Sequence, residues 1–237
     1  MNHWSKTLWL FSLEFKYSDC KGDVGFLIDG SGSIVKGLGP GRNFFEYYWN
    51  LILDFIVVLA KPIGISDSGT RMAVVVFSTD AELVIKFSDH QNYESFSKSV
   101  LAINHPMGYT NTLKGLEVAL NEMYSESTGM RADEIPKNLI YLTDGQCGGN
   151  YGNGTDFDCN KEKFEEFGNR FKDRKVRKIG IGIGRNINDD ATSQIVSFVG
   201  KQNFIKQDNF YNIMTEKFRS NLSICDGELN ILLVIKT

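Results

Sequence analysis

The sequence predicts an α/β fold, a doubly wound and mostly parallel central sheet with helices on both faces. Short continuous apolar runs alternate with segments of helical periodicity, and that alternation implies a parallel sheet covered on both sides. No repeat, low-complexity tract or Pro/Ser linker interrupts the pattern, so residues 20–225 read as one domain.

Residues 24–28, VGFLI, form the first core strand and deliver Asp29 at its end. Phe45, Tyr48, Ile52, Phe55, Ile56 and Leu59 recur at helical spacing and predict a helix over 44–60. Residues 72–77 are a second apolar strand. Residues 82–87 alternate polar and apolar, which suits a less buried edge strand. A short helix over 93–101 and a longer one over 111–124 follow. Residues 138–142 are a third buried strand that runs into Thr143-Asp144-Gly145. Phe164, Phe167 and Phe171 share one face of a helix over 161–172. Residues 176–183 are a fourth core strand, and helices are expected over 189–199 and 212–222.

A net charge of −3 lacks the basic excess of a general nucleic-acid binder. No apolar run approaches the roughly 20 residues that span a membrane. Residues 1–19 contain a short apolar core, Thr7 to Leu13, after Lys6. That core reads either as a signal peptide or as an N-terminal extension with an extra strand. Residues 226–237 are an apolar C-terminal tail.

The four cysteines form no Cys-x-x-Cys pair, which argues against a zinc site. Cys20 precedes the first core strand and Cys225 follows the last expected helix. Cys147 and Cys159 bracket a Gly/Asn-rich loop. Two nested disulfides would staple the domain ends and close that loop, placing the protein in an oxidising compartment. The alternative is four partly buried thiols in a cytosolic protein. Asn153-Gly-Thr155 and Asn221-Leu-Ser223 are glycosylation sequons that fit secretion.

The function-bearing feature is Asp29-Gly-Ser-Gly-Ser33. One carboxylate and two hydroxyls at alternate positions offer hard oxygen donors to a divalent cation. A second strand ends in Asp144. In a parallel sheet both carboxylates reach the same edge, where ligands bind outside the strand ends. The loop Gly108-Tyr-Thr-Asn-Thr112 opens a helix and offers Thr110 as another hydroxyl. Taken singly, each motif is equally a helix cap or a turn.

D-G-S-G-S, G-Y-T-N-T and L-T-D-G, in this order, resemble the von Willebrand factor type A domain of integrin inserted domains, matrilins and collagen VI. The resemblance runs from Asp23 to Cys225 and includes F-S-T-D-A-E at 77–82. It implies that one edge strand of the sheet is antiparallel. It implies a metal-ion-dependent adhesion site, or MIDAS, with Asp29, Ser31, Ser33, Thr110 and Asp144 as ligands. The implied cation is Mg2+, with Mn2+ or Ca2+ as alternatives. The implied activity is adhesion: a collagen or another matrix protein supplies an acidic residue to the cation, and no bond in the ligand is broken. The implied location is secreted, in the extracellular matrix, or at the cell surface as part of a longer chain. Alternatives are a matrix component that assembles without the metal, and an intracellular member of the fold.

Tyr109, Asn111, Gln146 and Tyr151 flank this edge and are candidate ligand contacts. Gly30 and Gly32 are expected to let the backbone turn tightly around the ion. Gly180-Ile-Gly-Ile-Gly184 lacks the Lys-Ser/Thr ending of a phosphate loop, so its glycines are expected to admit a helix close to the sheet. Ser31 as a hydrolytic nucleophile would need a histidine base, and the three histidines do not cluster near it in sequence.

Overall fold

The computed structural model describes residues 20–35, 47–132, 134–145, 147–148, 157–184, 186–215, 222 and 224. Six strands form one sheet: β1 (Gly22–Asp29), β2 (Thr70–Phe77), β3 (Ala81–Ile85), β4 (Lys137–Thr143), β5 (Val176–Ile183) and β6 (Phe204–Gln207). Their order is β3-β2-β1-β4-β5-β6, with β3 antiparallel at one edge and all other pairs parallel. The chain winds outward from β1 in both directions, so the switch point lies between β1 and β4. Crevices open at such points, outside the carboxyl ends of the strands.

Among the described residues five helices cover the sheet: α1 (Tyr47–Ile63), α2 (Tyr93–Leu101), α3 (Thr112–Val118), α4 (Lys161–Asp173) and α5 (Asp189–Val199). Alternate residues of a strand face opposite sides. Phe26 and Ile28 of β1 therefore pack with Ile52, Phe55 and Ile56 of α1 and with Phe96 of α2. Leu27 faces the other way, among Phe77, Tyr141, Leu116 of α3, Phe164 and Phe171 of α4, and Phe198 of α5. Both faces of β1 are buried, which explains why its sequence is a continuous apolar run rather than an alternating one.

Several expectations are revised. The 111–124 helix is α-helical only over Thr112–Val118 and continues as a π turn over Ala119–Met123, with Asn111 as its N-cap. Arg174, at the end of α4, donates to the carbonyls of Leu120 and Tyr124 there, so the widened turn does not strand its acceptors. The 212–222 helix does not start as expected. Asn212–Met214 is a single 3-10 turn held by Asn209, and Thr215 is already extended. β6 was not anticipated, because its four residues, three half-buried and Lys206 exposed, carry no strong apolar run. At Gly180 the close approach is observed: a Cβ there would sit 2.6 Å from Cγ2 of Ile195 on α5.

At the end of the sheet opposite the β1–β4 strand ends, Asp23 is fully buried and paired with Arg131. Arg131 donates its backbone N–H and Nε to the two carboxylate oxygens, each at 2.8 Å. This clamp fastens β1 to the segment leading into β4.

Candidate metal centre

β1 ends at Asp29, and its carboxylate is completely buried. One oxygen accepts the backbone N–H of Ser31 at 2.8 Å, and the other accepts the hydroxyl of Thr143 at 2.6 Å. The Ser31 and Ser33 hydroxyls are 2.9 Å apart, and Ser33 donates to Asp144 at 2.7 Å. Asp29, Ser31, Ser33 and Asp144 are thus joined into one hydrogen-bonded group from the ends of two adjacent strands. Thr143 belongs with them and was not identified from sequence. The available signal was a hydroxyl at the last position of an otherwise apolar strand.

Thr110 lies at the same edge, 8% exposed, and is not in that hydrogen-bonded group. Its loop is positioned through the backbone. Gly32 N–H donates to the Gly108 carbonyl at 2.9 Å, and Asn111 N–H donates to the Ser78 carbonyl at 2.7 Å. The Thr79 hydroxyl accepts Tyr109 N–H at 3.0 Å. On its far side, the Thr110 carbonyl accepts Gly148 N–H at 3.1 Å, forming an antiparallel bridge.

The two glycines of the motif serve a different purpose from the one expected. Neither has a left-handed φ. A Cβ on Gly30 would lie 2.6 Å from Pro106, whereas on Gly32 it would meet the Gly108 carbonyl at an ordinary 3.4 Å. Gly30 is needed for close packing of the 105–106 segment. His105 follows the same route: its Nε2 lies 3.2 Å from the Ser31 carbonyl and its ring stacks on Trp49. The contact is with the Ser31 backbone rather than its hydroxyl, so it does not form a nucleophile–base pair.

Burial dominates the electrostatics. It raises the Asp29 carboxyl above its ordinary value, against the opposing hydrogen bonds from Thr143 and Ser31. Asp144 is pushed up to about 7, first by burial and then by the charge of Asp29, with Ser33 and Asn186 opposing. Among the described residues no basic side chain pairs with either carboxylate. The described residues also contain no cluster of three or more His, Cys, Asp or Glu side chains able to hold a metal. The donors here are two carboxylates and hydroxyls, all hard oxygens. Two buried, unneutralised carboxylates beside hydroxyls fit a hard divalent cation, which would supply the missing positive charge.

The flanking candidates are engaged in the protein. Asn111 caps α3 by accepting Lys114 N–H, and its amide donates to the Thr79 carbonyl. The Tyr109 ring packs edge-on against Phe157, with centroids 6.4 Å apart. Gln146, Tyr151, Asn153 and Asn221 lie outside the described residues. Cys147 and Cys159 form a disulfide with Cα atoms 5.8 Å apart. Cys20 is disulfide-bonded, and its expected partner Cys225 lies outside the described residues. No helix among the described residues is long and apolar enough to cross a membrane.

A family model of the von Willebrand factor type A domain matches residues 23–219. The chain is 28% identical over 163 residues to the collagen alpha-6(VI) chain of Mus musculus, covering 68% of this chain and 6% of that protein. It is 30% identical over 125 residues to cochlin of Cavia porcellus, covering 52% and 20% respectively. It therefore spans only a small part of either relative. Proximal thread matrix protein 1 from the mussel byssus, in a form with a zinc-occupied MIDAS motif, superposes with a TM-score of 0.69 at 18% identity. That superposition covers 87% of this chain and 48% of the other, and at this identity it shows a shared fold.

Proposed function

The chain belongs to the von Willebrand factor type A family, and from that premise we propose that it is a matrix adhesion module which binds a protein ligand through a divalent cation. The observation that carries the reading is the group Asp29–Ser31–Ser33–Asp144, two buried carboxylates bridged by hydroxyls with no basic partner among the described residues. Asp29, Ser31, Ser33, Thr110 and Asp144 would hold the cation. All are oxygen donors, so Mg2+ is favoured, with Mn2+ and Ca2+ as chemically similar substitutes. When bound, the cation supplies an electrophilic position that a carboxylate of another protein can occupy.

The remaining work falls to this chain's own residues. Thr143 and Ser31 fix both oxygens of Asp29, so that carboxylate is held before any ligand arrives. Ser33 keeps Asp144 oriented toward the same point. The reading is binding rather than catalysis, since His105 touches the Ser31 carbonyl and not its hydroxyl. A collagen or another matrix protein is the proposed partner class, by kinship with the collagen VI relative, and the proposed location is extracellular. The 20–225 domain bounds are part of the same proposal.

The test is an array of matrix proteins probed with the chain in Mg2+, in Ca2+ and in chelator. Binding that is lost in chelator and in Asp29→Ala, with the fold retained, supports the reading. Binding unchanged by both treatments contradicts it and favours metal-independent assembly.

A further inference from the structure

Gln194 is a buried amide on α5, 7% exposed, far in sequence from the residues of the metal centre. Its Oε1 accepts the backbone N–H of Cys147 at 3.0 Å, and its Nε2 donates to the backbone carbonyl of Cys159 at 3.0 Å. One side chain therefore grips both ends of the disulfide-closed segment. That segment touches the 108–112 loop twice. Gly148, next to Cys147, donates its N–H to the Thr110 carbonyl at 3.1 Å. Phe157, two residues before Cys159, packs edge-on against Tyr109. The contacts flank Thr110 on consecutive residues, and both depend on where the two cysteines are held.

Thr110 needs this support more than the other proposed ligands do. Asp29, Ser31, Ser33 and Asp144 hold one another through side-chain hydrogen bonds. Thr110 instead bonds Gly148 through its own carbonyl, and its neighbours Gly108, Tyr109 and Asn111 are held by Gly32, Thr79 and Ser78. A shift of Cys147 would pass directly to Gly148 and then to the Thr110 carbonyl. Cys147 and Cys159 also pack in the core beside β4 and α4, and Gln194 adds a polar anchor that reaches the backbone of both from α5, itself packed on the sheet through Ile195 and Phe198.

We infer that Gln194 is a positioning residue for the metal centre, acting through the Cys147–Cys159 segment to hold Thr110 in place for the cation. The inference rests on the proposed metal-binding role of Thr110. Residues that orient a metal ligand typically cost 10–100-fold in metal affinity when removed. The interaction is specific to an amide, since one end must accept and the other must donate.

The experiment is titration of the full chain with Mn2+ alone, by calorimetry, for wild type, Gln194→Met, Gln194→Ala, Thr110→Ala and Gln194→Met/Thr110→Ala. Methionine keeps the volume and removes both hydrogen bonds, so it remains informative if alanine impairs folding. The expected result is roughly tenfold weaker Mn2+ binding in Gln194→Met. On the Thr110→Ala background the same change should weaken binding no further, because residues acting in one chain are not additive. A general structural role would instead lower the melting temperature in chelator and leave Mn2+ affinity unchanged, and that result overturns the inference. Additive losses in the double variant overturn it as well. If wild type binds no Mn2+, or Thr110→Ala binds as wild type does, the underlying metal reading fails, and the inference fails with it.

Discussion

Replacing Asp144 by asparagine should make the metal-free protein more stable. Asp144 is 4% exposed, lies beside Asp29 and has no basic partner among the described residues. Its carboxyl is raised from 3.8 to about 7, by burial first and by Asp29 second. A raised carboxyl means that the native state binds more protons than the unfolded one between these values. Stability is then lost as pH climbs through that window and is level above it. At pH 8 the ionised Asp144 costs the metal-free fold on the order of 4 kcal/mol, and at pH 5, where the native carboxyl is protonated, only a fraction of that penalty remains. Asparagine keeps an oxygen to accept the Ser33 hydroxyl and removes the charge. Urea denaturation in chelator should therefore show Asp144→Asn more stable than wild type at pH 8, with the gain shrinking toward pH 5. Added Mg2+ should stabilise wild type and leave the variant unaffected, because a ligand stabilises only the state that binds it. A variant less stable than wild type in chelator at pH 8, or one that Mg2+ stabilises equally, would show that the Asp144 charge does not strain the metal-free fold.

Three further outcomes follow from the fold. Asp23→Ala takes the carboxylate from Arg131, which is 14% exposed and keeps the Gly22 carbonyl, and breaking a buried pair this way should cost about 3 kcal/mol in urea denaturation. The cost should be the same with and without cation, because the clamp sits at the opposite end of the sheet. Cys147→Ser/Cys159→Ser opens a disulfide of sequence separation 12. The loss should be about 3 kcal/mol by chain entropy, together with weaker Mn2+ binding if that segment positions Thr110. Gly180→Ala places a methyl group 2.6 Å from Ile195, an overpacking that should lower stability by about 1–3 kcal/mol and leave Mn2+ binding unchanged.

The strands and helices that a single residue pattern specifies were legible in the sequence. β1 is buried on both faces along its length and β5 from Ile179 to Ile183, so these apolar runs do not read as amphipathic helix. The Asp189–Val199 and Tyr93–Leu101 helices carry both a side-chain cap and an apolar face, and their limits match the reading. β6 was missed because Phe204-Ile-Lys-Gln207 is neither fully buried nor alternating, and only pairing with β5 makes it a strand. The 212–222 helix does not begin as read, since Asn212–Met214 is a 3-10 turn and Thr215 is extended, and residues 216–221 lie outside the described residues.

The proposed metal centre was partly legible for a related reason. Asp29, Ser31 and Ser33 are adjacent in sequence, and the strand-end rule brings Asp144 to them. Thr143 and Gln194 act through long-range hydrogen bonds that leave no local pattern. Gly30 was misread because its neighbour, Pro106, is 76 positions away and no spacing reveals it.

The proposed function requires a cation among Asp29, Ser31, Ser33, Thr110 and Asp144. An anomalous difference map from a crystal of this chain grown with Mn2+ tests it most directly. A single strong peak is expected within coordinating distance of those oxygens, with the Ser33–Asp144 hydrogen bond exchanged for contacts to the ion. A map with no peak there, with that hydrogen bond intact at its 2.7 Å, would contradict it.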